Sequence, residues 1–288
     1  MSIGITGATG QLGHLVVEKL KEQVPATEIV ALVRTPDKAD DLGVEVRKAD
    51  YTAPNTLVTA LPGIETLLLI SSNDMAGNRA EHHINVIEAA KAAGVKRIVY
   101  TSVLYADTSA LSLAEAHRRT EAALKNSGIP HTILRNGWYH ENALASLPGA
   151  LASGAFIGAA GDARFSGATR LDFAEAAIAV LVGSNHENKT YELAGDSAWT
   201  MADLAAEVSR QTGKQTTYND LGEAGYAAAL VQFGLPEALA ADLASYDVAA
   251  ASGALFNDTR QLSALIGRPT TALSEAVAAE IRKSEAVQ

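Results

Sequence analysis

The sequence predicts an α/β fold: a doubly wound parallel sheet followed by a smaller, mostly helical α/β C-terminal lobe. Three observations carry this reading. The chain opens on a short apolar run, Ile3-Gly4-Ile5-Thr6, which meets a glycine-punctuated turn over Gly7 to Gly13. Five further strand-like runs then alternate with helical segments, the arrangement of a parallel sheet covered on both faces. From about residue 140 that rhythm stops and Ala-rich helical sequence takes over.

In chain order, the glycine turn opens a helix with Leu12, Leu15, Val16 and Leu20 on one face. Glu28 to Val33 is a second buried strand, ending at Arg34, and Pro36 to Leu42 is read as a short helix. Val44 to Arg47 alternates as a strand, Pro54 to Ala60 is a brief helix, and Thr66 to Ile70 has the continuous apolar character of a central strand. A helix from Asn78 to Ala93 stops at Gly94. Arg97 to Tyr100 is the fifth strand, Leu113 to Asn126 a helix, and His131 to Leu134 the sixth strand. Beyond these come a helix at 171–182, short strands at 190–193 and 216–218, a helix at 201–212 introduced by Thr200, and helical sequence from Glu223 to Ile281. The expected division is a nucleotide-binding domain at 1–140, completed by the 171–182 helix, and a substrate-cleft lobe at 141–288.

The glycine spacing is G-x-x-G-x-x-G, after a strand and opening an amphipathic helix. That context is what a dinucleotide loop requires, because backbone N–H groups and a positive helix end then face a pyrophosphate. It assigns Gly7, Ala8, Thr9, Gly10, Gln11, Leu12 and Gly13 to the cofactor and makes the sheet Rossmann-like. An NAD site usually places an acid after the second strand to hold the ribose hydroxyls. This chain has Arg34 there and no acid until Asp37. A guanidinium binds a 2′-phosphate through paired charge-assisted hydrogen bonds, with Lys38 as a second charge, so NADP(H) is the expected cofactor.

Ligands of such sheets bind outside the carboxyl ends of the strands. That rule nominates Ser71, Ser72 and Asn73, then Thr101, then Asn136, Gly137, Trp138 and Tyr139, with Glu141 just beyond; Asp50 is a weaker candidate for the adenine side. Arg170 either reaches the cleft or pairs with nearby Asp172.

Reductases of this fold commonly use a Tyr with a Lys four residues on, whose charge lowers the phenol's pKa. Here Tyr100 is followed at that spacing by Leu104, Tyr105 by Ser109 and Tyr139 by Ala143. Epimerisation and alcohol oxidation are therefore disfavoured. Hydride transfer to an activated acceptor survives, since a quinone becomes a stabilised phenolate that takes its proton from water. No catalytic residue is assigned. Tyr105, His117, Asn136, Trp138, Tyr139 and His140 remain as wall or relay groups, with His117 read first as a partly buried helix histidine.

Composition excludes other classes. The net charge of −10 disfavours nucleic acid and anionic membrane surfaces. There is no cysteine, so disulfides, thiolate metal sites and Cys nucleophiles are excluded. The sequence has no H-E-x-x-H, and the adjacent pair His82-His83 diverges by about 100° on a helix. No metal is expected. The uncharged stretch Asn142 to Gly161 carries four glycines and a proline, too many breakers for a membrane span. A strand starting at Ile3 leaves no room for a signal peptide, and a cytoplasmic protein is expected. The helices near 224–251 either cover the cleft or pair two subunits as a homodimer.

Several quoted stretches together resemble the NmrA-like branch of atypical short-chain dehydrogenase/reductases. They are Gly7 to Gly13, Ala31-Leu32-Val33-Arg34, Leu68 to Ser72, Ala93 to Lys96 and Leu134 to Tyr139, with Phe156 to Asp162 and Tyr191 to Thr200 in the second lobe. The resemblance implies NADPH-dependent reduction of quinones without flavin or metal. It also implies cofactor contacts at the glycine loop, Arg34, the Ser71–Asn73 loop and the loop from Asn136, and a cleft between two lobes. Other relatives bind NADP(H) without turnover and act as redox sensors through protein partners, which is the alternative reading.

Overall fold

The computed structural model describes residues 2–74 and 77–286. In chain order the elements are β1 (Ile3–Thr6), α1 (Gln11–Leu20), β2 (Ile29–Val33), β3 (Glu45–Lys48), α2 (Pro54–Ala60), β4 (Thr66–Leu69), α3 (Arg79–Ala93), β5 (Arg97–Val103), α4 (Ala114–Ser127) and β6 (His131–Asn136). There follow α5 (His140–Leu144), α6 (Leu147–Ser153), β7 (Ala155–Gly158), α7 (Arg170–Val182), β8 (Lys189–Leu193), α8 (Met201–Thr212), β9 (Thr217–Asp220), α9 (Gly222–Gln232), α10 (Glu237–Ala251), α11 (Gln261–Ile266) and α12 (Leu273–Ala286). They group into two compact units. The first holds Met1–Asp107, Glu115–Asn136 and Arg170–Glu192; the second holds Thr108–Ala114, Gly137–Thr169 and Leu193–Gln288.

In the first unit, seven strands run in the order β3-β2-β1-β4-β5-β6-β8. Neighbours from β3 to β6 are parallel, with Ile3 opposite both Ile29 and Thr66. Every residue of β1, β2 and β4 is buried, as expected of strands covered on both faces. α1 packs with α7, and α2 with α3. One core cluster joins Leu32, Leu57, Leu61, Leu67, Val86, Ile98 and Tyr100. Each fully buried aliphatic side chain of this kind contributes about 1.5–3 kcal/mol. Strand order reverses between β1 and β4. That is the switch point where the chain's two directions of winding part and a crevice opens.

In the second unit, β7 and β9 form a two-stranded parallel sheet, with Phe156 opposite Tyr218. α8 begins on a capping box in which Thr200 and Asp203 bind each other's backbone N–H.

Several local expectations need correction. Pro36 to Leu42 is not an α-helix but two 3₁₀ turns, Pro36–Lys38 and Asp40–Leu42. Seven residues closed by the left-handed Gly43 are too few to repay helix nucleation. β5 and β6 run past their expected ends because Ser102 pairs with Arg135 and Val103 with Asn136, so Thr101 is a buried strand residue and not part of a loop. On α1, Leu15 is only half-buried while Val17 is buried. The breaker-rich stretch after Asn142 contains α6 and the unexpected strand β7. Among the described residues no helix is long and apolar enough to cross a membrane.

Candidate active site

At the glycine loop, Gly7 has φ of +60°, and its carbonyl accepts from Gly10 N at 2.9 Å. Gly10 is the N-cap of α1, with no side-chain cap and no acid in the first turn. A Cβ on Gly13 would stand 2.2 Å from Gly7 O, so only glycine lets the helix start this close to the strand end. The result is a cradle of backbone around an uncapped helix N-terminus, which fits an anionic pyrophosphate.

Arg34 and Lys38 are exposed just after β2. Asp50 faces opposing influences. Burial favours its neutral form, yet hydrogen bonds from Thr52 N and Oγ1 and the nearby Arg34 charge hold its carboxyl below the ordinary range. At the switch point, Thr6 Oγ1 donates to Leu68 O at 3.0 Å, and Tyr51 Oη donates to Ile70 O at 2.8 Å.

The chain leaving β4 turns successive amides inward. Ile70 N donates to Thr6 Oγ1 and Ser71 N to Thr101 Oγ1, both at 2.9 Å, and Ser72 N donates to His83 Nε2 at 2.7 Å. These amides are consumed, so the loop offers a ligand its carbonyl oxygens and the side chains of Ser71, Ser72 and Asn73. That suits sugar hydroxyls and amide donors better than phosphate. The two adjacent histidines were expected to diverge. Both nevertheless reach Ser72, since His82 Nδ1 lies 3.1 Å from Ser72 Oγ. The loop curls over the start of α3 and meets both rings.

Past β5, Tyr105 adopts a left-handed backbone with φ of +54°, unusual for a bulky side chain. Its N–H donates to Glu192 Oε2 at 2.9 Å. Glu192 Oε1 in turn accepts from Arg135 Nη1 at 2.7 Å, and Asp107 Oδ1 accepts from the same nitrogen at 3.0 Å. Arg135 also grips Glu121 with two parallel bonds of 2.9 and 2.8 Å, and Ser102 Oγ donates to Glu121 Oε1 at 2.7 Å. Its hydrogen bonds to Glu121 raise the guanidinium's pKa further, against the opposing pull of burial.

His117 is buried. Its Nδ1 lies 2.7 Å from Tyr100 Oη, in a cluster with His83 and Thr120. Asn136 is buried at the end of β6, its carbonyl accepting from Leu104 N at 3.0 Å.

The nominated residues of the first unit thus stand on one edge of the parallel sheet: Gly7 to Gly13, Arg34, Ser71 to Asn73, Thr101, Tyr105 and Asn136. Lys38 lies in the 3₁₀ turn after Arg34, and Arg170 starts α7. His117 faces the core. Gly137, Trp138, Tyr139 and Glu141 fall in the second unit. There Gly137 N donates to Leu193 O at 2.7 Å, Trp138 O accepts from Ala168 N at 3.1 Å, and the Trp138 ring lies 6.2 Å from that of Phe165. Among the described residues no cluster of three His, Asp or Glu side chains is arranged to hold a metal.

Two groups escaped the sequence reading. Arg135 was noticed only as part of a motif, although a cation closing an apolar strand is a signal for a buried counter-charge. The His83–Thr120 contact leaves no sequence signal, since its members lie 37 residues apart.

Residues 7–182 match the model of the NAD(P)H-binding family, and the chain belongs to that family, in its NmrA-like branch. The chain is 59% identical over 278 residues to quinone oxidoreductase 2 of Escherichia coli, covering 96% of this chain and 97% of that one. It superposes on the crystal structure of an Escherichia coli NADPH-dependent quinone oxidoreductase complexed with NADPH, with a TM-score of 0.94 at 58% identity, covering 97% and 99% of the two chains. An NmrA-like family domain-containing oxidoreductase of Aspergillus flavus is 31% identical over 232 residues, 73% of this chain and 71% of that one.

Proposed function

We propose that this chain is an NADPH-dependent oxidoreductase that transfers hydride to quinones. The observation that carries the reading is the near full-length likeness to the Escherichia coli enzyme. NADP(H) supplies the hydride, and the chain's own residues bind and orient it. In this proposal residues 1–140, completed by α7, form the NADP(H)-binding domain, and residues 141–288 form the lobe that serves the acceptor. The uncapped start of α1 and the Gly7–Gly13 backbone hold the pyrophosphate; Arg34, with Lys38, takes the 2′-phosphate. On the first unit, Ser71, Ser72, Asn73, Thr101, Asn136 and Arg170 are the candidates for the cofactor's far half; on the second, Gly137, Trp138, Tyr139 and Glu141 are the candidate cofactor contacts. On the second unit, Trp138 and Tyr139 are the candidate walls for a flat acceptor, whose reduced oxygen takes its proton from water; Tyr105 is the first unit's candidate. A cytoplasmic, water-soluble quinone reductase, without nucleic acid among its partners, fits the acidic composition.

The test is NADPH oxidation by the purified protein, followed by absorbance with benzoquinone as acceptor, alongside the Arg34→Ala variant. A hydrogen bond to a charged group is worth roughly 1.5–3 kcal/mol, so losing even one to the 2′-phosphate should lower the preference for NADPH over NADH about 10- to 100-fold in the variant. An unchanged ratio would remove Arg34 from the 2′-phosphate site. Cofactor binding without turnover across quinones would favour the regulatory reading instead.

A further inference from the structure

The loop after β4 hangs from a chain of hydrogen bonds whose direction can be worked out. An amide N–H only donates, so His83 Nε2, 2.7 Å from Ser72 N, must present its lone pair. The proton of the neutral ring therefore sits on Nδ1. That nitrogen lies 2.8 Å from Thr120 Oγ1, whose own hydroxyl donates to Ala116 O at 2.8 Å and so leaves a lone pair for the imidazole. Tyr100 Oη, 3.2 Å from the same nitrogen, lies 2.7 Å from His117 Nδ1 and donates there. A charged His83 would turn an N–H against the Ser72 amide, so the contact exists only for the neutral ring. Burial first, and then the nearby His117, Arg79 and His82, keep it neutral, with its pKa pushed down to about 3.

We infer that His83 is a positioning residue of the cofactor site: as its Nδ1–H tautomer it fixes the Ser71–Asn73 loop to α4 through Thr120. This rests on the assignment of that loop to NADP(H). The bond to Ser72 takes up the third inward amide in succession and thereby sets which oxygens the loop turns outward. His83 touches no reacting atom in this role. It acts through the loop.

Two replacements in the full-length enzyme separate positioning from packing. In His83→Gln, the longer carboxamide places an oxygen near the site of Nε2 and keeps an acceptor for Ser72 N. In His83→Asn, the shorter side chain reaches only the Nδ1 site, keeps Thr120 and abandons Ser72. Both remove a buried ring, and a packing role predicts lost stability in both, larger for the smaller Asn, without a tenfold split in KM between the folded variants. The positioning role predicts that the KM for NADPH rises about tenfold in His83→Asn but stays within about twofold in His83→Gln, with kcat on benzoquinone little changed in either. Equal KM values in the two variants, with wild-type binding intact, would overturn the inference; a wild type that does not bind NADPH would overturn the cofactor reading instead. A measurement free of any folding defect is ¹⁵N NMR of the histidine-labelled wild type with NADPH bound. His83 should appear as the neutral Nδ1–H tautomer, and an Nε2–H ring would refute the hydrogen-bond direction.

Discussion

Replacing Gly13 by alanine tests the proposed cofactor cradle with a magnitude the structure supplies. The added methyl would stand 2.2 Å from Gly7 O, 2.8 Å from Gly7 C and 2.9 Å from Ala8 Cα. Comfortable carbon contacts begin near 3.5 Å, so the turn and α1 must part by about 1 Å. All three atoms belong to the backbone, and no rotamer change can relieve the clash. Overpacking of this kind costs about 1–3 kcal/mol, which lowers the melting temperature by several degrees in a protein of this size. In the proposed site the same movement draws the α1 amides away from the pyrophosphate, and a misplacement of about 1 Å is worth on the order of 100-fold. Gly10→Ala is the control, because its methyl meets only Gly7 O, at 3.1 Å, on an exposed residue. It should melt near wild type. Titrating NADPH fluorescence and recording thermal melts for both variants decides the matter. A Gly13→Ala protein that binds NADPH and melts like wild type would refute the cradle argument.

Glu121→Gln should lower the free energy of unfolding in urea by about 3 kcal/mol, because it leaves the buried Arg135 charge with only part of its carboxylate partners; a loss below 1 kcal/mol would mean that Glu192 and Asp107 suffice. Acid stability depends on the paired imidazoles. Burial pushes His83 and His117 each down to about 3, so between pH 6.5 and 3 the unfolded chain takes up protons that the folded rings refuse. Their contribution is fully present above pH 6.5 and is lost as pH falls, by about 2 kcal/mol per ring at pH 5. Urea unfolding at pH 7 and pH 5 should therefore show a smaller drop for His117→Asn than for wild type, and an equal drop would mean that His117 titrates normally.

What could be read from the sequence was chemistry confined to one stretch. The glycine loop announces itself because a strand, a turn and a helix start lie within Ile3 to Leu20, and Arg34 because it sits immediately after its strand. The strand ends at Thr101 and Asn136 were misjudged for a different reason. Their extension comes from pairing between β5 and β6, and no local pattern encodes the register of a neighbour 33 residues away. The polar interior was hidden more deeply. Arg135 meets Glu121 and Glu192, which lie 14 and 57 residues from it, and Ser72 meets His83 across the entry to α3. Read singly, each is an ordinary polar residue.

These interior contacts bear on why the proposed cofactor edge holds its shape. An apolar core tolerates small slips of one element past another, because dispersion has no direction. A hydrogen bond does have direction, and a buried donor left unpaired costs about 1–3 kcal/mol. Thr6, Thr101 and His83 each accept one amide of the chain leaving β4, so a slip of one residue would break three such bonds at once. Glu192 does the same for the left-handed turn at Tyr105. The apolar layers stabilise the sheet, while the buried polar groups beneath its carboxyl edge select a single register for the loops proposed to meet the cofactor.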